Sequence, residues 1–94
     1  MQYQLEFRKE ALREWEALDN SIRLQFKKKL TKRLACPRIV SDRLNSQPDR
    51  YKIKLRSAGY RLIYEVHDQT VTVTVIAIGK RNRNAVYRVA MLRP

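Results

Sequence analysis

The alternation of apolar and polar residues predicts four strands along this chain. Tyr3, Leu5 and Phe7 alternate with polar residues over positions 2–7, which is the period of a strand with one buried face. The same alternation returns in three consecutive stretches, 51–56, 60–67 and 71–78, which are separated by short polar turns. These three stretches predict a series of antiparallel strands in the second half of the chain.

Helical spacing appears between the first strand and the others, and again at the end of the chain. One apolar stripe consists of Ala11, Leu12, Trp15 and Leu18, and a second of Ile22, Phe26, Leu30 and Leu34. Cys36 precedes a proline, which disfavours helical geometry and ends the second helix there. Residues 38–49 show no clear period and predict a loop, whereas 84–91 predict a short helix. The order β-α-α-β-β-β-α predicts a single α+β domain over 1–94, with a mostly antiparallel four-stranded sheet packed by helices.

The charge balance adds the first indication of function. Among 94 residues, 21 are Lys or Arg and 9 are Asp or Glu, so the formal net charge is +12. Asp68 is the last acidic residue, and five basic residues follow between Lys80 and Arg93. A field of this sign attracts polyanions, and nucleic acid is the usual cellular polyanion.

Other features narrow the class of protein. The chain has no apolar run of roughly 20 residues and no signal peptide at its start, so we expect a cytoplasmic protein. Cys36 is the only cysteine, which permits neither an internal disulfide nor a zinc site of the usual ligand count. We therefore expect no metal and no cofactor.

The predicted strand register brings basic residues together. If Ser57 and Ala58 form the turn, Lys54 lies opposite Arg61 and apolar residues face apolar residues. Lys52 then shares that face with Lys54. Like charges directly opposite each other destabilise a sheet, so a chain that keeps this pair has a use for the field.

The same reasoning extends to the third strand of the series. A two-residue turn at Asp68–Gln69 would place Val71, Val73 and Val75 beside Val66, Tyr64 and Leu62, respectively. This strand runs back toward the first turn, so we expect Arg81 to emerge near Lys54 and Arg61. Tyr87, on the final helix, either faces that surface or is an ordinary core aromatic.

These motifs resemble the RelE toxins of bacterial toxin-antitoxin systems. The resemblance is carried by the run from Tyr51 to Tyr64, by Gly79–Arg83 and by Val86–Tyr87, and it covers essentially the whole chain. It implies a ribosome-dependent endonuclease that cuts mRNA in the decoding site of the 70S ribosome, beside 16S rRNA, and that a RelB-like antitoxin holds inactive. It also implies catalytic roles for five residues: Lys52, Lys54, Arg61, Arg81 and Tyr87.

One position departs from the family pattern. Such toxins often carry an arginine where this chain has Asn45. The phosphate contact near this loop is therefore expected to be weaker, or to be supplied by Arg43 or Arg50. Basic residues expected to contact RNA or the ribosome are Lys27, Lys28, Lys29, Lys32, Arg33, Arg43, Arg50, Arg56, Lys80 and Arg83.

The proposed site residues suit RNA cleavage without a metal. RNA carries its own nucleophile, the 2′-hydroxyl, and cleavage needs a base, charge stabilisation and an acid. Neighbouring cations lower the pKa of a lysine, which makes Lys54, or else Lys52, the expected base. Arg61 suits the charge that develops on phosphorus, and Tyr87 suits stacking on a base. The resemblance suggests Arg81 as the acid, whereas the chemistry of a guanidinium favours charge stabilisation.

Two other functional classes fit this sequence in part. A ParE-like toxin shares the fold and inhibits DNA gyrase, but such proteins generally lack the basic residues proposed here as catalytic. A nucleic-acid-binding module or repressor would bind RNA or DNA without giving a cleavage product. His67, the only histidine, lies at a predicted turn away from the proposed site and is expected to be solvated.

Overall fold

The computed structural model describes residues 2–82 and 85–94. Its helices are α1 (Lys9–Glu16), α2 (Asn20–Ala35) and α3 (Ala85–Leu92), with a short 3-10 helix at Val40–Asp42. Its strands are β1 (Gln4–Phe7), β2 (Arg43–Leu44), β3 (Gln47–Leu55), β4 (Tyr60–His67) and β5 (Thr72–Lys80). No helix within these residues is long and apolar enough to cross a bilayer.

The α+β architecture is confirmed, with one strand more than predicted. The described residues form a five-stranded sheet in the order β1-β5-β4-β3-β2, in which β1 runs parallel to β5 and the other pairs are antiparallel. The additional strand is β2. The predicted loop over 38–49 was wrong in this respect, because it contains the 3-10 helix, β2 and the start of β3.

Each face of the sheet is covered by a different helical layer. α1 and α2 cover the first face, where Phe26 and Leu30 pack against Ile53, Leu62 and Tyr64. α3 covers part of the second face, whose smaller apolar cluster consists of Leu44, Ile63, Ile76, Ala77, Val86 and Ala90. Part of the second face beside α3 therefore stays open to solvent.

The predicted register of the first hairpin is confirmed. Lys54 pairs with Arg61 and Leu55 with Tyr60, as the alternation of the two strands requires. Gly59 closes the turn with a φ of 73°, a conformation that a glycine adopts without strain.

The predicted register of β5 was wrong. The turn after β4 contains four residues, Asp68–Val71, and Val71 adopts a φ of 52°. His67 therefore pairs with Thr72, and Val73 lies beside Val66 rather than beside Tyr64. The sequence has no glycine at this position, so no local sequence signal predicts the longer turn.

A bulge in β5 then exchanges the two faces of this strand. Ile63 pairs with Ala77 but Tyr64 pairs with Val75, which leaves Ile76 as the extra residue. Ile76 and Ala77 consequently both belong to the cluster beneath α3. Beyond the bulge Gly79 approaches α3, where an added Cβ would lie 3.5 Å from Val86 Cβ. The alternation that continues from Gly79 directs Arg81 to the open second face.

Two predicted apolar positions are more exposed than their stripes suggested. Leu12 of α1 and Leu5 of β1 are 42% and 37% exposed, respectively. β1 is an edge strand, and α1 packs mainly through the buried Ala11.

Candidate active site

A basic depression lies on the open second face, beside α3. Its volume is about 480 Å³, and its lining residues are Lys52, Lys54, Arg56, Arg61, Arg81 and Tyr87. The structure thus brings together the five residues expected to be catalytic, with Arg56 at the same site. We call these six residues the basic depression.

The strands fix the positions of its central cations. Lys52 and Lys54 project from one face of β3, and Arg61 lies directly opposite Lys54 on β4. Arg61 is only 7% exposed and donates a hydrogen bond from Nη1 to the carbonyl of Tyr60, at 3.0 Å. A guanidinium held in this way loses little side-chain freedom when a phosphate binds.

The field of the depression acts on Lys54. The nearby Lys52 ammonium is the main cause that lowers the pKa of Lys54, and desolvation, Arg56 and Arg61 act in the same direction. Asp42 opposes this shift. A lowered pKa increases the neutral fraction of the lysine, which is the form that accepts a proton.

Helix α2 supports the strand that carries the two lysines. Lys29 donates from Nζ to the carbonyl of Lys54 at 3.2 Å, and Arg33 donates from Nη1 to the carbonyl of Lys52 at 3.3 Å. β2 pairs with β3 only between Gln47 and Tyr51, so these carbonyls lie beyond the end of that pairing. β4 pairs with β3 at these positions on one side, and the two side chains support β3 on the other side, beyond the end of β2.

Arg33 does not occupy the exposed position expected of an RNA-binding residue. Its side chain is 16% exposed, forms an ion pair with Asp42 at 2.5 Å and donates to the hydroxyl of Tyr64 at 2.9 Å. Its donors are thus engaged within the fold, because α2 packs this position against the sheet.

Arg50 is likewise committed to partners within the fold. It is 7% exposed, and its Nε donates to Glu65 Oε2 at 2.8 Å. Its other nitrogens donate to the carbonyls of Ala90 and Arg93 at 2.5 and 2.7 Å. Strand alternation places Arg50 on the same face as Lys52, but the end of α3 covers it. Of the two arginines considered for the contact near Asn45, only Arg43 is exposed.

The remaining basic residues have exposed side chains where the structure describes them. These are Lys27, Lys28, Lys29 and Lys32 on α2, Arg43 on β2, Arg56 after β3 and Lys80 at the end of β5. The expectation for Arg83 lies outside the described residues. His67 is exposed, as expected, and its Nε2 lies 3.1 Å from Glu65 Oε1 at the far end of β4.

Sequence reasoning missed a second depression that adjoins the first. It has a volume of about 450 Å³, shares Lys52 and Tyr87 with the basic depression, and is also lined by Arg43, Asn45, Gln47, Arg88 and Met91. Its walls come from the β2–β3 hairpin and from α3, so no local pattern could reveal it. Tyr87 lines both depressions and also packs against the small apolar cluster, so both interpretations of this residue apply.

Acidic and metal-ligating side chains are scarce at this site. Within 2–82 and 85–94, no three His, Cys, Asp or Glu residues are grouped so that they could hold a metal ion. The chemistry available in the basic depression is therefore that of amines, guanidinium groups and a phenol.

Comparisons with known proteins identify the family of this chain. Residues 5–85 match the family model described as the ParE toxin of the type II toxin-antitoxin system parDE. The chain is 52% identical over 93 residues to the mRNA interferase toxin RelE of Escherichia coli, covering 99% of this chain and 98% of that protein. It superposes on a free E. coli RelE mutant with a TM-score of 0.89 at 49% identity, covering 97% and 96% of the two chains. It also matches the toxin of the intact E. coli RelBE toxin-antitoxin complex, with a TM-score of 0.83 at 52% identity, covering 86% of this chain and 99% of that one. A near-complete match of sequence and fold at this identity means that the chain belongs to the RelE family of type II toxin-antitoxin toxins, within the RelE/ParE superfamily.

Proposed function

We propose that this protein is an mRNA interferase, a toxin that cuts ribosome-bound mRNA in the decoding site and thereby stops translation in the cytoplasm. The observation that carries the proposal is the convergence of Lys52, Lys54, Arg61, Arg81 and Tyr87 on one open depression. The relative from E. coli that bears this activity in its name is 52% identical over nearly its whole length.

Lys54 is the base of the proposed reaction. Its pKa is lowered mainly by Lys52, which favours the neutral amine. The amine removes the proton of the 2′-hydroxyl, and the 2′-oxygen then attacks the adjacent phosphorus. The bond from phosphorus to the 5′-oxygen breaks, which gives a 2′,3′-cyclic phosphate and a 5′-hydroxyl.

Two arginines stabilise the charge that develops on phosphorus. Arg61 projects from β4 into the depression and is held by its hydrogen bond to the carbonyl of Tyr60. Its planar guanidinium can donate two parallel hydrogen bonds to phosphate oxygens. Arg81 enters from the end of β5. Because a guanidinium does not lose its proton in a protein, we assign charge stabilisation to Arg81 and proton donation to the ammonium of Lys52.

Tyr87 and the outer cations bind the substrate. The phenol ring of Tyr87 borders the depression and stacks on an unpaired base, an interaction that tolerates sequence changes. Three exposed lysines of α2 lie on the other side of the sheet from the basic depression and contact the phosphates of ribosomal RNA: Lys27, Lys28 and Lys32. The ribosome thus presents a single strand of mRNA to a site that is too open to hold it alone.

A RelB-like antitoxin is the proposed protein partner. The solved E. coli complex pairs RelE with RelB, and this chain matches its toxin closely. A chain of net charge +12 favours an acidic or amphipathic partner segment that is disordered when free and folds as it wraps the toxin.

Primer extension on a translated message tests the proposal. We expect induced expression to produce cuts within the reading frame, and no cuts in the same message lacking its start codon. Lys54→Met, which keeps the length of the side chain but removes the amine, should abolish the cuts. Intact messages together with gyrase-dependent DNA damage would instead support the ParE-like alternative, and binding without any product would support a non-catalytic module.

A further inference from the structure

Two arginines tie the C-terminal end of α3 to the rest of the fold. Arg50 of β3 donates to the carbonyls of Ala90 and Arg93. The side chain of Arg93 itself donates to Glu14 on α1 at 2.9 and 3.1 Å and to the carbonyl of Ile76 on β5 at 2.8 Å. The end of the helix is therefore tied to α1, β3 and β5 together.

α3 needs such ties because it has little stability of its own. It contains eight residues, fewer than an isolated helix needs to persist in water. Val86 and Ala90 are its buried residues, and its last turn carries no basic side chain that could balance the negative end of the helix. Arg50 supplies that positive charge from β3, and it donates to the carbonyl of Ala90, which also accepts from the backbone N–H of Arg93 just beyond the helix.

Tyr87 depends on this arrangement because it belongs to the same short helix. It lies three residues before Ala90, about one helical turn away, and it lines the basic depression with Lys52 and Arg61. A shift or rotation of α3 would move the ring away from the lysines of β3.

We propose that Arg50 is a positioning residue for the basic depression: by holding the last turn of α3 it keeps Tyr87 beside the other residues of that depression. This inference rests on the proposed function and adds to it a residue that does not touch RNA. Glu65 supports Arg50 in this role, because its carboxylate accepts a hydrogen bond from Arg50 Nε and fixes the plane of the guanidinium.

A double-mutant cycle distinguishes positioning from general stabilisation. Arg50→Met removes the donors but keeps most of the buried volume, and Arg50→Lys restores the charge without the planar fork. Each is combined with Tyr87→Ala, and single-turnover cleavage is measured at saturating ribosome concentration. Arg38→Met is the matched control, because Arg38 also joins distant elements, through Asp49 and Asp68, and neither of these partners belongs to α3.

We expect Tyr87→Ala to slow cleavage at least about tenfold in the native background and less than about threefold beside Arg50→Met, because both changes then remove the same contact. Arg50→Lys should recover only part of the rate, and Arg38→Met should cleave at the native rate per folded molecule. Hydrogen exchange should accelerate at residues 86–92 in Arg50→Met, with β4 still protected.

Equal losses from Tyr87→Ala in both backgrounds would overturn the inference, as would unchanged exchange in α3. Failure of the native protein to cut ribosome-bound mRNA would refute the proposed function instead. In that event the exchange measurement still decides whether Arg50 holds α3.

Discussion

Arg61 offers the sharpest test of the proposed chemistry, because its side chain is both buried and part of the basic depression. Replacement by Met keeps the buried stem of the side chain and removes the guanidinium. Arg61 is 7% exposed and its guanidinium donates to the carbonyl of Tyr60, so few other groups can move into its place. The change therefore removes a fixed donor from the transition state rather than a mobile surface charge.

The expected loss follows from the strength of such donors. Removing one preorganised donor from a developing oxyanion costs roughly 3 kcal/mol, which corresponds to about a hundredfold in rate. Arg61→Lys keeps the charge but loses the paired geometry, so we expect a loss of about tenfold. Loss of the hydrogen bond to Tyr60 lowers the free energy of unfolding by about 1 kcal/mol, too little to explain either effect.

Arg56→Met is the matched control for charge. Arg56 lines the same depression from an exposed position just after β3, and its removal also subtracts one positive charge. We expect weaker binding, with a salt dependence reduced by about one ion. The rate at saturation should change little, because Arg56 lowers the pKa of Lys54 less than Lys52 does. The assay is single-turnover cleavage of ribosome-bound message, measured across ribosome and salt concentrations. A native rate for Arg61→Met, or equal rate losses in both variants, would refute the assignment of Arg61.

Further expectations concern pH, product ends, binding and stability. Lys52→Gln removes the proposed acid, so cleavage slows, and it also removes the main cause of the lowered pKa of Lys54. That pKa then rises toward its ordinary value and the rising limb of the pH–rate profile moves to higher pH, whereas an unmoved limb would exclude Lys54 as the base. Cleavage in excess chelator should continue and leave a 5′-hydroxyl on the downstream fragment, whereas a 5′-phosphate would contradict attack by the 2′-oxygen. Exchanging Lys27 and Lys28 for Gln should weaken ribosome binding and reduce its salt dependence at an unchanged saturating rate, and a slower chemical step would place α2 in the reaction instead. Phe26→Ala empties a fully buried position and should lower the free energy of unfolding by about 3–5 kcal/mol in denaturant titrations, and a loss below about 1 kcal/mol would mean that the core refills.

Local patterning determined the first hairpin and much of the basic depression. A one-residue slip between β3 and β4 would move every apolar side chain to the wrong face, so alternation together with a turn at Ser57 and Ala58 fixes Lys54 opposite Arg61. The apolar stripe of α2 could also be predicted, because Phe26 and Leu30 recur at the helical period and are both buried. In these segments, burial of one face determines which residues face the core.

Only the tertiary structure decided the features that depend on distant residues. The register of β5 follows from a turn in which Val71, a β-branched residue, adopts a positive φ, and the bulge at Ile76 then directs Arg81 to the open face. Arg50 directly precedes a predicted strand, and in the sequence it looks like any other basic residue. A guanidinium donates to a phosphate and to a backbone carbonyl through the same N–H groups. Which of the two it binds depends on which acceptor the fold places beside it. Here the end of α3 places two carbonyls there, so this arginine holds the helix.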